Sequence, residues 1–120
     1  MRCFTRNGHD WTERLPALVQ ALRQLPVHGT WLDGEIGVEG EDGAPDFQAL
    51  QNAFDSGRTD DIVYWLFDVP FLADHDLRSQ PQGLRSAQLR QLMEAVPLPP
   101  RLRLSEHFDA PPAELLAAAA

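Results

Sequence analysis

An α+β fold, a mostly antiparallel sheet with flanking helices, is what this sequence predicts, and three observations predict it. Strand-type and helix-type patterns alternate along the chain, which shows a mixed fold and taken alone could suggest a doubly wound α/β sheet. The candidate strands have one apolar and one polar face, where a doubly wound parallel sheet has strands apolar on both. The glycine-rich strand-to-helix turn of a dinucleotide site is missing. The 120 residues are enough for one domain with one modest core. At 43% hydrophobic and 23% charged residues the chain has globular composition, which argues against disorder or a fibrous repeat.

Arg2-Cys3-Phe4-Thr5, the first element, has strand composition and runs into Asn7-Gly8, a strong turn signal. A strand beginning at residue 2 leads us to expect a neighbour encoded upstream. Pro16 suits the first turn of a helix over residues 16–25, with Leu18, Val19, Leu22 and Leu25 on one face and Pro26 as its stop. Residues 30–38 form a strand with Leu32, Ile36 and Val38 on one face and Asp33 with Glu35 on the other. Asp46 caps a short helix bearing Phe47, Leu50 and Phe54 and closed near Gly57. Residues 62–69, the densest β-branched and aromatic run, make a central strand; Pro70 should disturb its end and put the residues beyond it at an edge or bulge. The polar stretch 74–83 reads as a loop. A helix fits residues 84–95, with Leu89, Leu92, Met93 and Val96 at helical spacing, before Pro97, Pro99 and Pro100. Residues 101–105 alternate as a strand, and Pro111 and Pro112 open a last helix running through the terminal alanines to Ala120.

Charge and residue usage bound the function. Ten basic against eighteen acidic residues give 10 − 18 = −8, opposite to the surface of an autonomous nucleic-acid binder. Every basic residue is an arginine; the chain contains no lysine. Cys3 is the sole cysteine, so no internal disulfide forms and no paired-cysteine zinc motif exists. No apolar run approaches the roughly 20 residues of a membrane span and no signal peptide is evident, so the expected location is the cytoplasm, without a membrane partner. His9, His28, His75 and His107 lack metal-ligand spacing and read as surface or packing residues.

Five residues stand out for chemistry. Arg6 ends a strand beside a turn, where a guanidinium can reach an anion from a rigid base. Asp33 and Glu35 share a strand face about 6.6 Å apart along the chain, so they can converge on one ligand. Phe67, in the central strand, is either an ordinary core ring or a stacking platform. Asp68 beside it needs a hydrogen-bonding partner if it is buried.

Five segments, in this order and spacing, resemble the ATP-dependent DNA ligase family, and within it the ligase domain of bacterial ligase D of non-homologous end joining. They are Phe4-Thr5-Arg6-Asn7-Gly8-His9-Asp10-Trp11-Thr12, Trp31-Leu32-Asp33-Gly34-Glu35-Ile36, Pro45-Asp46-Phe47-Gln48-Ala49-Leu50-Gln51-Asn52-Ala53, Tyr64-Trp65-Leu66-Phe67-Asp68-Val69 and Leu102-Arg103-Leu104-Ser105-Glu106-His107. Pro70 stands where this family more often has an aliphatic residue. The resemblance implies a partial nucleotidyltransferase domain of ATP-grasp-like fold, with residues 1–120 as its central part. Arg6 would contact phosphate, Glu35 the ribose side of the nucleotide, and Phe67 would stack on adenine. Asp33 would support the ribose or a metal, or else brace the turn or a neighbouring arginine. It also implies ATP and Mg2+ as cofactors, nicked or broken DNA as partner, and a parent polypeptide that can carry polymerase and nuclease domains.

The family's chemistry begins when a lysine attacks the α-phosphate of ATP to form a lysyl-adenylate. The Lys-x-Asp-Gly motif that supplies it precedes the Arg6 segment, and further lysines and a metal-binding glutamate come after the last segment. None is in this chain, and an arginine cannot replace the nucleophile because its guanidinium stays protonated. The sequence is therefore expected to be an internal ligase fragment, inactive alone, with exposed sheet edges and low stability. An RNA ligase or capping-type nucleotidyltransferase fragment would share the nucleotide pocket but not the ligase D-like phrases. Outside the superfamily, a retaining glycosidase would use Asp33 and Glu35 as its carboxyl pair, although such pairs normally come from separate elements around a large groove. A non-enzymatic interaction module would be a stable, monodisperse domain without nucleotide affinity.

Overall fold

A computed structural model describes residues 1–5, 8–25, 28–43, 45–95, 100–105 and 115–119. The strands are β1 (Arg2–Thr5), β2 (Trp31–Glu39), β3 (Pro45–Asp46), β4 (Ile62–Leu72), β5 (His75–Asp76), β6 (Leu102–Leu104) and β7 (Leu115–Ala119). The helices are α1 (Pro16–Arg23), α2 (Phe47–Ser56) and α3 (Gln82–Glu94). Among the described residues all seven strands join one sheet, in the order β1-β7-β2-β4-β5, with β3 beside β2 and β6 beside β4. Every pairing is antiparallel except β4 with β6. That parallel pair needs a crossover, and α3 makes it. The result is the α+β sheet that the alternating strand faces predict.

Local chemistry accounts for the helix ends. Pro16 occupies the first turn of α1, where its missing N–H costs nothing. Asp46 caps α2 by accepting the Ala49 N–H at 3.0 Å. Gly57, at φ +73°, closes the other end, and the Arg58 N–H reaches the Ala53 carbonyl at 2.8 Å.

The core lies on one face of the sheet. Cys3, Leu32, Ile36, Ile62, Tyr64, Leu66, Leu116 and Ala118 are buried there together with Leu18 and Leu22 of α1, Leu50 of α2 and Leu89 and Met93 of α3. The periodicities expected for the three helices therefore mark the packed stripes, with α3 the least buried of them; Val96, expected on its stripe, lies outside the described residues.

Three expectations need correction. The terminal alanines do not continue a helix: residues 115–119 are a strand inserted between β1 and β2, while Pro111 and Pro112 lie outside the described residues. Alanine is the best helix former, but β1 and this side of β2 have no other strand among the described residues to satisfy their backbone groups, and those ladder bonds outweigh a preference of tenths of a kcal/mol per residue. The central strand does not stop at residue 69 but runs to Leu72, and Pro70 lies in a bulge of the kind expected there, with Trp31 facing Phe71 while Asp33 faces Asp68. The stretch 74–83 is not wholly loop. Ala73 and Asp74, at φ +49° and +69°, form a two-residue turn of the I′ kind that pairs Leu72 with His75 and creates β5, and α3 already starts at Gln82.

Candidate functional site

The second face of the sheet carries the residues of chemical interest. The register of β2 with β7 is unbroken from Leu32 to Glu35, which keeps Asp33 and Glu35 on the face opposite Leu32 and Ile36. Gly34 between them is required by close packing: a Cβ there would lie 2.4 Å from the Trp65 carbonyl oxygen and 2.6 Å from Cε1 of Tyr64. The Tyr64 hydroxyl, fully buried under this glycine, shares its proton between the Leu32 carbonyl, at 2.9 Å, and that of Leu116. Burial holds this phenol well above its ordinary pKa, so it stays a neutral donor joining β4 to β2 and β7.

A second bulge in β4 re-aims Phe67. Gly34 faces Leu66 and Asp33 faces Asp68, so Phe67 is the extra residue with no counterpart on β2. Its half-buried side chain lines two adjoining cavities. One, of about 340 Å³, is bounded by Asp33, Gly34, Phe67, Asp68, Gln82 and residues 115–117 of β7. The other, of about 480 Å³, lies between Phe67, α3 and β6 and includes Gln82, Ser86, Leu89, Arg90, Leu104 and Ser105. Phe67 and Gln82 form the partition between them.

Asp68 has the partner that its burial demands. Its Oδ1 accepts the Val69 N–H at 2.8 Å and lies 3.0 Å from Nε of Arg85, with both side chains mostly buried. The Arg85 Nε–H is not aimed at that oxygen, so the contact is an ion pair and not a hydrogen bond. This pair neutralises one of two carboxylates that face each other across the ladder, since Asp33 stands opposite Asp68.

Asp33 and Phe67, 67 − 33 = 34 positions apart, thus line a single cavity. Glu35 shares the face of Asp33 but is 5% exposed, opposite Trp65 and Leu115, and is not among the residues bounding that cavity. Arg6 lies outside the described residues, as does His107. His9, His28 and His75 are exposed. Sequence reasoning passed over Gln82 and Arg85; an isolated glutamine or arginine in a polar helical turn carries no pattern, and only the α3 crossover brings them to Phe67. Among the described residues no group of three or more His, Cys, Asp or Glu side chains assembles, and no helix is long and apolar enough to cross a membrane.

The curled, mostly antiparallel sheet with its three helices is that of a nucleotidyltransferase-type domain. The chain belongs to the ATP-dependent DNA ligase family: the family model described as "ATP dependent DNA ligase domain" matches residues 1–118. It is 50% identical over 119 residues to the "Multifunctional non-homologous end joining protein LigD" of Pseudomonas aeruginosa, covering 99% of this chain and 14% of that protein. It is 39% identical over 102 residues to a "Probable DNA ligase" of Pseudarthrobacter chlorophenolicus, covering 82% of this chain and 20% of the relative. A third relative, the "SPbeta prophage-derived DNA ligase-like protein LigB" of Bacillus subtilis, is 33% identical over 93 residues, 77% of this chain and 33% of its own length. The chain therefore spans between a seventh and a third of these relatives.

Proposed function

We propose that this chain is the central part of a ligase adenylation domain and supplies one wall of an ATP pocket in an enzyme that seals DNA breaks through a lysyl-adenylate. The observation that carries the reading is the shared cavity of Asp33 and Phe67. An aromatic ring and a carboxylate lining one hollow suit the two parts of a nucleoside, the flat purine and the ribose hydroxyls. Phe67 stacks on the adenine, and its bulge presents the ring without breaking the sheet. Asp33 accepts hydrogen bonds from the sugar or from metal-bound water. Glu35, buried one pleat further along, contributes negative charge behind the ribose position, and Arg6 reaches phosphate.

Magnesium usually takes one or two carboxylates together with substrate phosphates and waters. Asp33 fits that pattern as a single protein ligand; Asp68 is engaged by Arg85. A magnesium ion bound there would supply positive charge against the phosphates of the nucleotide. The nucleophile is not among the residues of this chain, which has no lysine. Binding and orientation of the nucleotide are its contribution; the covalent step is not. Nicked DNA as partner, polymerase or nuclease domains on the same polypeptide and a cytoplasmic setting belong to the same proposal.

The test is ATP binding measured by NMR or calorimetry. Weak binding by the unaltered chain should fall by about fivefold or more on Phe67→Ala, given stacking worth roughly 1–3 kcal/mol, and should also fall on Asp33→Asn. Incubation with radiolabelled ATP and magnesium should leave no covalent adduct. Equal affinity of Phe67→Ala and the unaltered chain would exclude the stacking role, and a stable adduct would show that the chain does carry out the covalent step.

A further inference from the structure

We infer that Phe4, Trp31 and Phe71 form a stacking strip for unpaired nucleobases at a broken DNA end, on the sheet face beside the cavity of Asp33 and Phe67. The inference rests on DNA as the partner named in the proposed function, and adds the surface that meets it.

Residues directly opposite each other in an antiparallel ladder share a face. Arg2, Ala119, Trp31 and Phe71 therefore make one row across β1, β7, β2 and β4, and Phe4, Ala117, Asp33 and Asp68 make the next. With β7 between them, β1 and β2 lie two strand spacings apart, roughly 10 Å. The Phe4 and Trp31 rings nevertheless stack, with centroids 6.0 Å apart and planes at 22°. In these two rows β7 offers the face only the methyl groups of Ala117 and Ala119, so the rings can lean together over it.

Phe4 backs the indole, and Trp31 remains 38% exposed, one of two large hydrophobic side chains open to solvent among the described residues. Phe71, half-buried, continues the strip and has the Arg78 guanidinium over its ring at 4.8 Å. A base can extend such a stack whatever its identity, since every base has a π-face. Arg2 and Arg78 put a positive group at each end of the strip, yet each is ion-paired, to Asp10 at 2.9 Å and to Asp76 at 2.8 Å. Stacking, and not phosphate charge, is thus the main attraction, and a chain of net charge −8 can still offer it to DNA. Position selects the occupant. Asp33 stands in the row next to Trp31, so a strand lying on the rings brings its end to the nucleotide cavity.

The experiment titrates the chain, labelled with 5-fluorotryptophan, with a short 5′-phosphorylated DNA single strand. The three indoles are followed by 19F NMR, with ATP affinity measured alongside. The Trp31 resonance, assigned by its loss in Trp31→Phe, should move with DNA while those of Trp11 and Trp65 stay in place. Trp31→Leu should lose about fivefold or more in DNA affinity, by the same factor at about 50 and 200 mM salt, with ATP affinity unchanged. Trp31→Phe should keep most of the affinity, and Leu84→Ala, which removes the other exposed apolar side chain, should keep all of it. The same sequence as a blunt duplex should bind more weakly, because its bases are already paired and stacked. Equal DNA affinity of Trp31→Leu and the unaltered chain, no binding of the single strand, or equal affinity for the duplex would overturn the inference. So would a dimer in sedimentation that Trp31→Leu dissolves, which would assign the face to a second copy of the chain. If Trp31 answers to DNA as described while no variant binds ATP, the strip stands and the nucleotide reading fails. Should Trp31→Leu unfold, Phe71→Leu is read in the same way.

Discussion

Gly34 shows how a residue type can be demanded by its neighbours and not by its own backbone. The Tyr64 ring and the Trp65 carbonyl fill the space a side chain would need, so Gly34→Ala is expected to cost roughly 2–3 kcal/mol by overpacking, measurable as a lower denaturation midpoint in urea. The Asp-Gly-Glu phrase stands out in the sequence for its two acids, yet the glycine between them is under a steric constraint of its own. Charge is the second residue-scale determinant. Hydrogen bonds from the Arg78 side chain and N–H pull the Asp76 carboxyl down to about 2. A depressed acid lends stability that is complete above its unfolded value, near pH 4, and lost as pH falls through about 2. Acid titration of unfolding should therefore be shallower between these values in Asp76→Asn than in the unaltered chain.

Elements in this chain form where local chemistry and pairing agree, and the disagreements are informative. For α2 they agree closely: the Asp46 cap, the stripe of Phe47, Leu50 and Phe54 and the left-handed Gly57 are visible in the sequence, and in the fold Leu50 is buried with Phe47 and Phe54 half-buried beside it. Asp46→Ala should remove the bond to the Ala49 N–H and cost about 1 kcal/mol, read by thermal unfolding with circular dichroism. β7 is the opposite case, five residues rich in alanine held extended because strands on both sides require partners. No window of sequence around Leu115 contains that requirement. The bulges of β4 were legible only in part. Pro70 signalled one, since it cannot donate to the ladder, but nothing in Leu66-Phe67-Asp68 signals the other. That one is a mismatch of two strands roughly thirty residues apart, and it aims the ring on which the candidate site depends.

At the scale of the molecule, one buried layer between sheet and helices sets both stability and reactivity. Cys3 lies inside that layer without exposure, and burial, with a smaller contribution from the Asp10 charge, pushes its thiol up to about 11. The thiol should resist alkylation at about pH 8 in the folded chain and react within minutes in denaturant, so that labelling kinetics report global unfolding; rapid labelling of the folded chain would contradict the burial. The other face of the same sheet brings Asp33 and Phe67 to one cavity, and Arg85 joins them through the crossover that makes β4 and β6 parallel.

Read without coordinates, the chain already specified its fold class, three helices with their buried stripes, the carboxylate strand with its two faces, and the family to which the five phrases point. These are local facts, carried by side-chain periods of two and near four residues, by caps and by turns. Assembly of the sheet settled the remainder: residues 115–119 extend, Phe67 falls in a bulge and lines a cavity with Asp33, Glu35 is buried outside that cavity, and an arginine from α3 pairs with Asp68. Each of these depends on which strands must satisfy each other's backbone groups and on which charges face across a ladder, conditions that exist only once distant segments have met.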